Sequence, residues 1–267
     1  MKGHALKGLM LLAMLAATGC CGMFQSKEER YKKEMECALR VTDERSIVIL
    51  QKGMFCCEKL PAQDTTLPAA RRFYLLRAAA LEPKNPDPLM QIARSYWDDR
   101  DFVPALAYFV QAKEVSPKPL AAVIGEFTML RLTKQWDKAM TLVAWIRDQK
   151  AMDAPKVADY LEARLLYDQG KYAEAKPLFL NALKRAEAGS DTLGDTPYTM
   201  KDTYLYLAQI QLKGGDPQGA YEDFKIFLRK TSNPDFQLFY KYWVEKLGSD
   251  QAALYDKIES DWAWPRQ

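Results

Sequence analysis

Small and apolar residues recur along this chain in blocks that read as paired helices. From residue 89, "LMQIARSYWDDRDFVPALAYFVQAKEVSP" sets Ile92, Ala93 and Tyr96 on one helical face, then Phe102, Ala105, Phe109 and Ala112 on another. Spacings of three and four residues put such positions on one side of a helix. Ala93 and Ala105 stand where two antiparallel helices approach most closely, so small side chains are needed there. Tyr96, Phe102 and Phe109 fill the wedge between the helices, and Ala112 lets a further hairpin stack. Pro117 ends the second helix, because it lacks a donor and clashes with the preceding turn. Between the helices lies Asp98-Asp99-Arg100-Asp101, which offers enough carboxylates for a metal or an acid–base pair. Its place favours a solvated turn instead, with Asp101 capping the second helix ahead of Phe102.

The pattern returns along the chain. One period earlier, "RRFYLLRAAALEPKNP" carries Leu75, Ala78 and Pro83, with a degenerate partner helix expected at roughly 44–60. One period later come Leu130, Trp136, Ala139 and Val143. Glu126 and Phe127 break the pairing of a large and a small residue there, so a splayed hairpin is expected. After a two-residue slip, Ala163, Leu166, Gly170, Tyr172, Ala175, Phe179 and Ala182 repeat the pattern. The last clear copy holds Leu207, Ala208, Gly215, Ala220 and Phe224, and an eleven-residue excess rich in turn residues precedes it. Residues 233–267 keep helical spacing at Phe236, Phe239, Tyr240, Trp243 and Leu247. They read as a divergent capping hairpin, because a terminal repeat must seal the exposed core. Trp262 and Trp264 are candidate partner contacts within it.

The segment from Leu89 resembles the tetratricopeptide repeat, a helix–turn–helix unit of about 34 residues. It falls on all eight diagnostic spacings, with Leu89 where the family prefers Trp. The resemblance covers roughly residues 44–232. It implies an all-α solenoid of stacked antiparallel hairpins, with about five recognisable repeats plus the capping hairpin. It also implies recognition of a protein or peptide by the first helix of each hairpin. The groove positions are Met90, Arg94 and Trp97; Ile124, Thr128 and Arg131; Tyr160, Arg164 and Tyr167; and Leu205 and Gln209. Guanidiniums there would take carboxylates, and rings would supply apolar area at low entropy cost. The lysine/asparagine clamp by which some relatives hold chaperone C-termini is unmatched, because Met90, Ile124 and Tyr160 stand where its lysine would be.

The first residues are different in kind. Lys2 and Lys7 precede nine apolar residues, Leu9 to Ala17, far short of the roughly 20 that span a bilayer. Ala16, Ala17, Thr18 and Gly19 then run into Cys20, which resembles the lipobox of bacterial lipoproteins. That resemblance implies a signal peptide over 1–19, a palmitate-type lipid anchor on Cys20 and a linker or short helix to residue 43. It departs from the usual pattern at Ala17, where Leu is preferred, and at Cys21. No aspartate follows Cys20, so the outer membrane is favoured, with the array on the periplasmic side. Loss of Lys2 and Lys7 would lower the net charge from +3 to +1. In an oxidising envelope Cys37 is expected to pair with Cys56 or Cys57, while packing as small apolar residues is the alternative.

Composition narrows the chemistry. His4 is the single histidine and lies in the expected signal peptide, so a Ser–His–Asp or Cys–His mechanism has no base. No HExxH, GxxxxGK[ST] or GxGxxG motif occurs. The Gly189–Asp195 stretch, "GSDTLGD", lacks the alternating acids of a calcium loop. A net charge of +3 without basic runs gives no footprint for nucleic acid. The expectation is therefore a non-catalytic, cofactor-free and metal-free scaffold for an envelope protein partner, including machinery of the secretin or pilus type. A lipoprotein that binds carbohydrate or peptidoglycan is the alternative, because groove aromatics also stack on sugars.

Overall fold

A computed structural model of the chain describes residues 26–52, 57–61, 66–149, 154–187, 200 and 202–230. Among the described residues there are eleven helices and no strand. The chain divides into two compact units, Met1–Gln135 and Trp136–Gln267.

The first unit opens with α1 (Lys27–Leu39), started by a reciprocal capping box between Ser26 and Glu29. The short α2 (Glu44–Gln51) has a second box, between Asp43 and Ser46. Thr66 caps α3 (Leu67–Leu81) and Asn85 caps α4 (Pro86–Asp98), where Pro86 takes a first-turn position that needs no donor. α5 (Phe102–Val115) and α6 (Leu120–Leu132) complete the unit. Asp101 stands at the start of α5, but its side chain makes no capping bond.

The partner of α3 differs from the one expected at 44–60. α1 packs along α3, while α2 is short and touches it little. The cause lies in which residues are apolar: Cys37, Ala38 and Val41 are fully buried with Tyr74 and Leu75 of α3. A disulfide joins Cys37 to Cys57, and Leu50 and Leu60 close over the same core. Polar groups fasten the edge of this core. Arg77 Nε donates to Glu34 at 3.0 Å, Arg71 donates to the Val41 carbonyl at 2.9 Å, and the Tyr74 hydroxyl donates to the Glu58 carbonyl at 2.8 Å. Of the linker or short helix expected up to residue 43, Lys27–Leu39 is a helix that packs into the core.

In the second unit, α7 (Trp136–Arg147), α8 (Ala154–Asp168), α9 (Tyr172–Glu187), α10 (Thr203–Lys213) and α11 (Pro217–Lys230) pack each on the next. The small residues do what the pattern required of them. Ala93, Ala105, Ala112, Ala139, Ala163, Ala175, Ala182 and Ala208 have no exposed surface. Phe109 and Phe179 are fully buried between helices, each contributing about 1.5–3 kcal/mol of apolar burial. Glu126, out of place in the repeat pattern, is held by Lys113 Nζ at 2.7 Å across α5 and α6. The boundary between the compact units falls between Gln135 and Trp136, where α6 gives way to α7.

Four turns between successive helices share one geometry. Arg100, Lys134, Gly170 and Gly215 all have positive φ, at 60°, 59°, 76° and 76°. Each is flanked by the same two bonds: the Arg100 amide donates to the Trp97 carbonyl and that of Asp101 to Tyr96, with equivalents at 134/135, 170/171 and 215/216. This is the Schellman ending, in which a left-handed residue satisfies the last helical carbonyls. The left-handed residues are 34, 36 and 45 positions apart, so the two-residue slip and the eleven-residue excess are both present. Asp98 therefore ends α4, residues 99–101 form the turn, and Asp99 accepts from Arg72 at 2.6 Å. The expected capping hairpin, Trp262, Trp264, Cys20, Cys21, Cys56 and the "GSDTLGD" stretch lie outside the described residues.

Candidate functional site

In the first unit, α4 and the start of α6 face each other across a cleft of about 440 Å³. Pro86, Asp87, Met90, Gln91 and Arg94 line it from α4. Ser116, Pro117, Lys118, Ala121 and Ala122 line it from the link after α5 and from α6. The cleft exists because Pro117 stops α5 and because Ala121 and Ala122 leave room that larger residues would fill. Arg94 is half-buried, and no hydrogen bond or ion pair engages its guanidinium. A half-buried arginine with no carboxylate of its own can accept one from outside at modest desolvation cost.

The other expected groove residues are placed differently. Ile124, Tyr160 and Leu205 are buried, 3–5% exposed, and are closed to a partner. Their helices explain this, since residues 122–127 of α6 and 156–161 of α8 are buried without interruption. Such helices are covered on more than one side, whereas the repeat pattern assumes an open first-helix face. Trp97 is half-buried and packs on the cluster of Ala93, Ala105, Phe109 and Met129. The Thr128 hydroxyl donates to the Ile124 carbonyl at 2.8 Å, and Tyr167 donates to Gln209. Arg131 is half-buried and engaged within the chain.

Arg164 has an internal partner. Its Nη1 donates to Asp202 at 2.8 Å, and its guanidinium lies 4.0 Å from the centre of the Tyr206 ring. The Tyr160 hydroxyl donates to the same carboxylate at 2.9 Å, and that of Tyr206 donates to it at 3.2 Å. Burial, then the neighbouring Asp202 charge, pushes the Tyr160 hydroxyl well above the usual phenol range. Burial disfavours the Arg164 charge, but Tyr160, Tyr206 and Asp202 outweigh it and hold the guanidinium protonated. Repeat spacing holds no sign of this network, because Asp202 follows the eleven-residue excess and belongs to no repeat position of fixed type. Asp87 and Lys118 escape the repeat spacing for a similar reason, since they belong to a helix start and to a link, and Gln91 stands beside the expected groove position Met90.

The described residues hold no group of three or more His, Cys, Asp or Glu arranged for a metal. Among the described residues no helix is long and apolar enough to cross a membrane.

No protein family model matches the chain, and no curated protein matches it. Solved structures do. The pilF protein of Pseudomonas aeruginosa is similar with a TM-score of 0.54 at 13% identity, over 88% of this chain and 88% of that one. Cut9–Hcn1 of the APC/C is similar with a TM-score of 0.52 at 13% identity, over 88% of this chain and 42% of that one. MamA of Desulfovibrio magneticus RS-1 follows at 0.49, with 16% identity over 77% and 98%. Likeness at such identities is one of fold. The chain is an all-α solenoid of stacked antiparallel hairpins, of the tetratricopeptide type.

Proposed function

We propose that the chain is a non-catalytic scaffold that holds a segment of a protein partner in the cleft beside Arg94. The observation that carries this reading is an unpaired, half-buried guanidinium in a cleft of about 440 Å³. The amphipathic lining fits a peptide: Met90, Pro117, Ala121 and Ala122 give apolar surface, and Asp87, Gln91 and Arg94 give polar contacts. The scaffold is anchored to the outer membrane by a lipidated Cys20, a reading supported by the N-terminal pattern. The buried Cys37–Cys57 disulfide fits the same reading, because such bonds persist in oxidising compartments. Its partner is a component of an envelope assembly, of which secretin or pilus machinery is the class this anchor-plus-array layout suits.

Retention experiments on detergent-solubilised envelopes test the reading. The full chain should retain a stoichiometric protein, and Arg94→Glu should lose it. Retention of glycan alone would overturn the scaffold. Cys20→Ala should release the chain from membranes, and its persistence there would end the lipid-anchor proposal.

A further inference from the structure

The four left-handed turn residues give an internal ruler. Arg100 and Gly170 are 70 positions apart, as are Arg94 and Arg164, so these two arginines occupy one repeat position. Phe109 and Phe179 correspond in the same way, and both are fully buried. On the facing helix, Lys134 and Gly215 are 81 positions apart. By that offset Asp202 corresponds to Ala121, and Tyr206 corresponds to Gly125.

The two sites then compare residue by residue, each inside its own unit. In the second unit Arg164 receives the Asp202 carboxylate and the face of Tyr206. In the first unit the same guanidinium faces Ala121, whose methyl group offers nothing to it, and the cleft opens at that place. The aromatic half of the site is closed differently. Tyr206 stacks on Phe179 at 5.5 Å, whereas Gly125 lies so near Phe109 that a Cβ there would overlap the ring. Closer helix approach has taken the place of the ring, while the carboxylate and the two hydroxyls that donate to it have no counterpart. Met90 stands where Tyr160 supplies a hydroxyl in the second unit, so the incoming group meets apolar surface beside the guanidinium.

We propose that the Arg94 cleft is an unfilled copy of the Arg164 site and takes a side-chain carboxylate, flanked by an apolar residue, from a partner protein. This rests on the scaffold reading and adds the chemistry of the segment recognised. Asp202 shows how the acid is delivered: it sits at the start of α10 and turns its carboxylate to Arg164 instead of capping its own helix.

Random peptides displayed with their C-termini fused, so that only side-chain acids are present, should be selected on the detergent-purified full chain. Enrichment of Asp or Glu beside an apolar residue is expected. The strongest peptide, made with both ends blocked, should bind at least tenfold more weakly after its acid is changed to the amide, and as weakly to Arg94→Gln. Ala121→Asp should fill the site from within, blocking that peptide and raising the unfolding midpoint, and adding Arg94→Gln should abolish the rise. That last comparison separates pairing with Arg94 from an acid's general benefit at a helix start. Failure to enrich, enrichment without acids, or equal binding by Arg94→Gln would each overturn the inference. If Arg94→Gln still retains the envelope partner, the scaffold stands and the carboxylate site falls. If acidic peptides bind and no protein partner is retained, the reverse holds.

Discussion

Arg100 and Lys134 hold a left-handed backbone that costs an L side chain about 1–2 kcal/mol. Both are exposed, and no contact repays that cost. Glycine relieves it but loses roughly 0.5–1 kcal/mol through the freer unfolded chain. Arg100→Gly and Lys134→Gly should therefore each raise stability by about 0.5–1 kcal/mol, read as a higher denaturant midpoint with an unchanged slope. Tyr74 gives a test in pH. Burial, and then the nearby Glu34 charge, raises its hydroxyl from about 10 to about 12. A raised value in the folded state means stability is complete below pH 10 and is lost as pH climbs through 12. Unfolding measured at pH 8 and pH 11 should show that loss, and Tyr74→Phe should shrink it. Single residues were legible where type and place coincide, as at Gly170 and Gly215. They were illegible where an ordinary residue holds a special place, as at Arg100, and where the partner lay far along the chain, as Asp202 does from Arg164.

At the scale of elements, α1 is the departure from expectation. Its residues read as a charged linker or short helix, yet it is the packing partner of α3, because Cys37, Ala38 and Val41 form an apolar edge too short to stand out in periodicity. The disulfide across 20 positions makes that edge sufficient, because closing such a loop removes about 3 kcal/mol of unfolded-state entropy. Cys37→Ser with Cys57→Ser should cost about that much and expose α1 and α2 to hydrogen exchange before α4 and α5. The α8–α10 link through Arg164 and Asp202 makes the opposite kind of claim. Arg164 is 14% exposed and Asp202 36%, so losing these charge-assisted bonds costs about 1.5–3 kcal/mol, less than a fully buried pair. Arg164→Ala should destabilise the chain on that scale, whereas Arg94→Ala should change stability little, and thermal melts would rank them. Repeat spacing identified both helix faces. It could not say which face is covered, since that depends on the neighbouring helix.

The whole molecule was the most legible level, because the fold rests on many small residues at fixed intervals and tolerates substitutions at each. What the intervals leave open is where length can vary. Every one of the four Schellman turns has three residues between its helices: 99–101, 133–135, 169–171 and 214–216. The links from one hairpin to the next hold four residues at 82–85 and at 116–119, six at 148–153 and fifteen at 188–202. From α4 onward the turns thus keep one length and the links between them vary, so the links are where added sequence is accommodated. A short epitope inserted after Gln149 should leave folding intact, while the same epitope after Arg100 should abolish it, as soluble yield and circular dichroism would report. Growth of this protein, by nature or by design, proceeds through its seams.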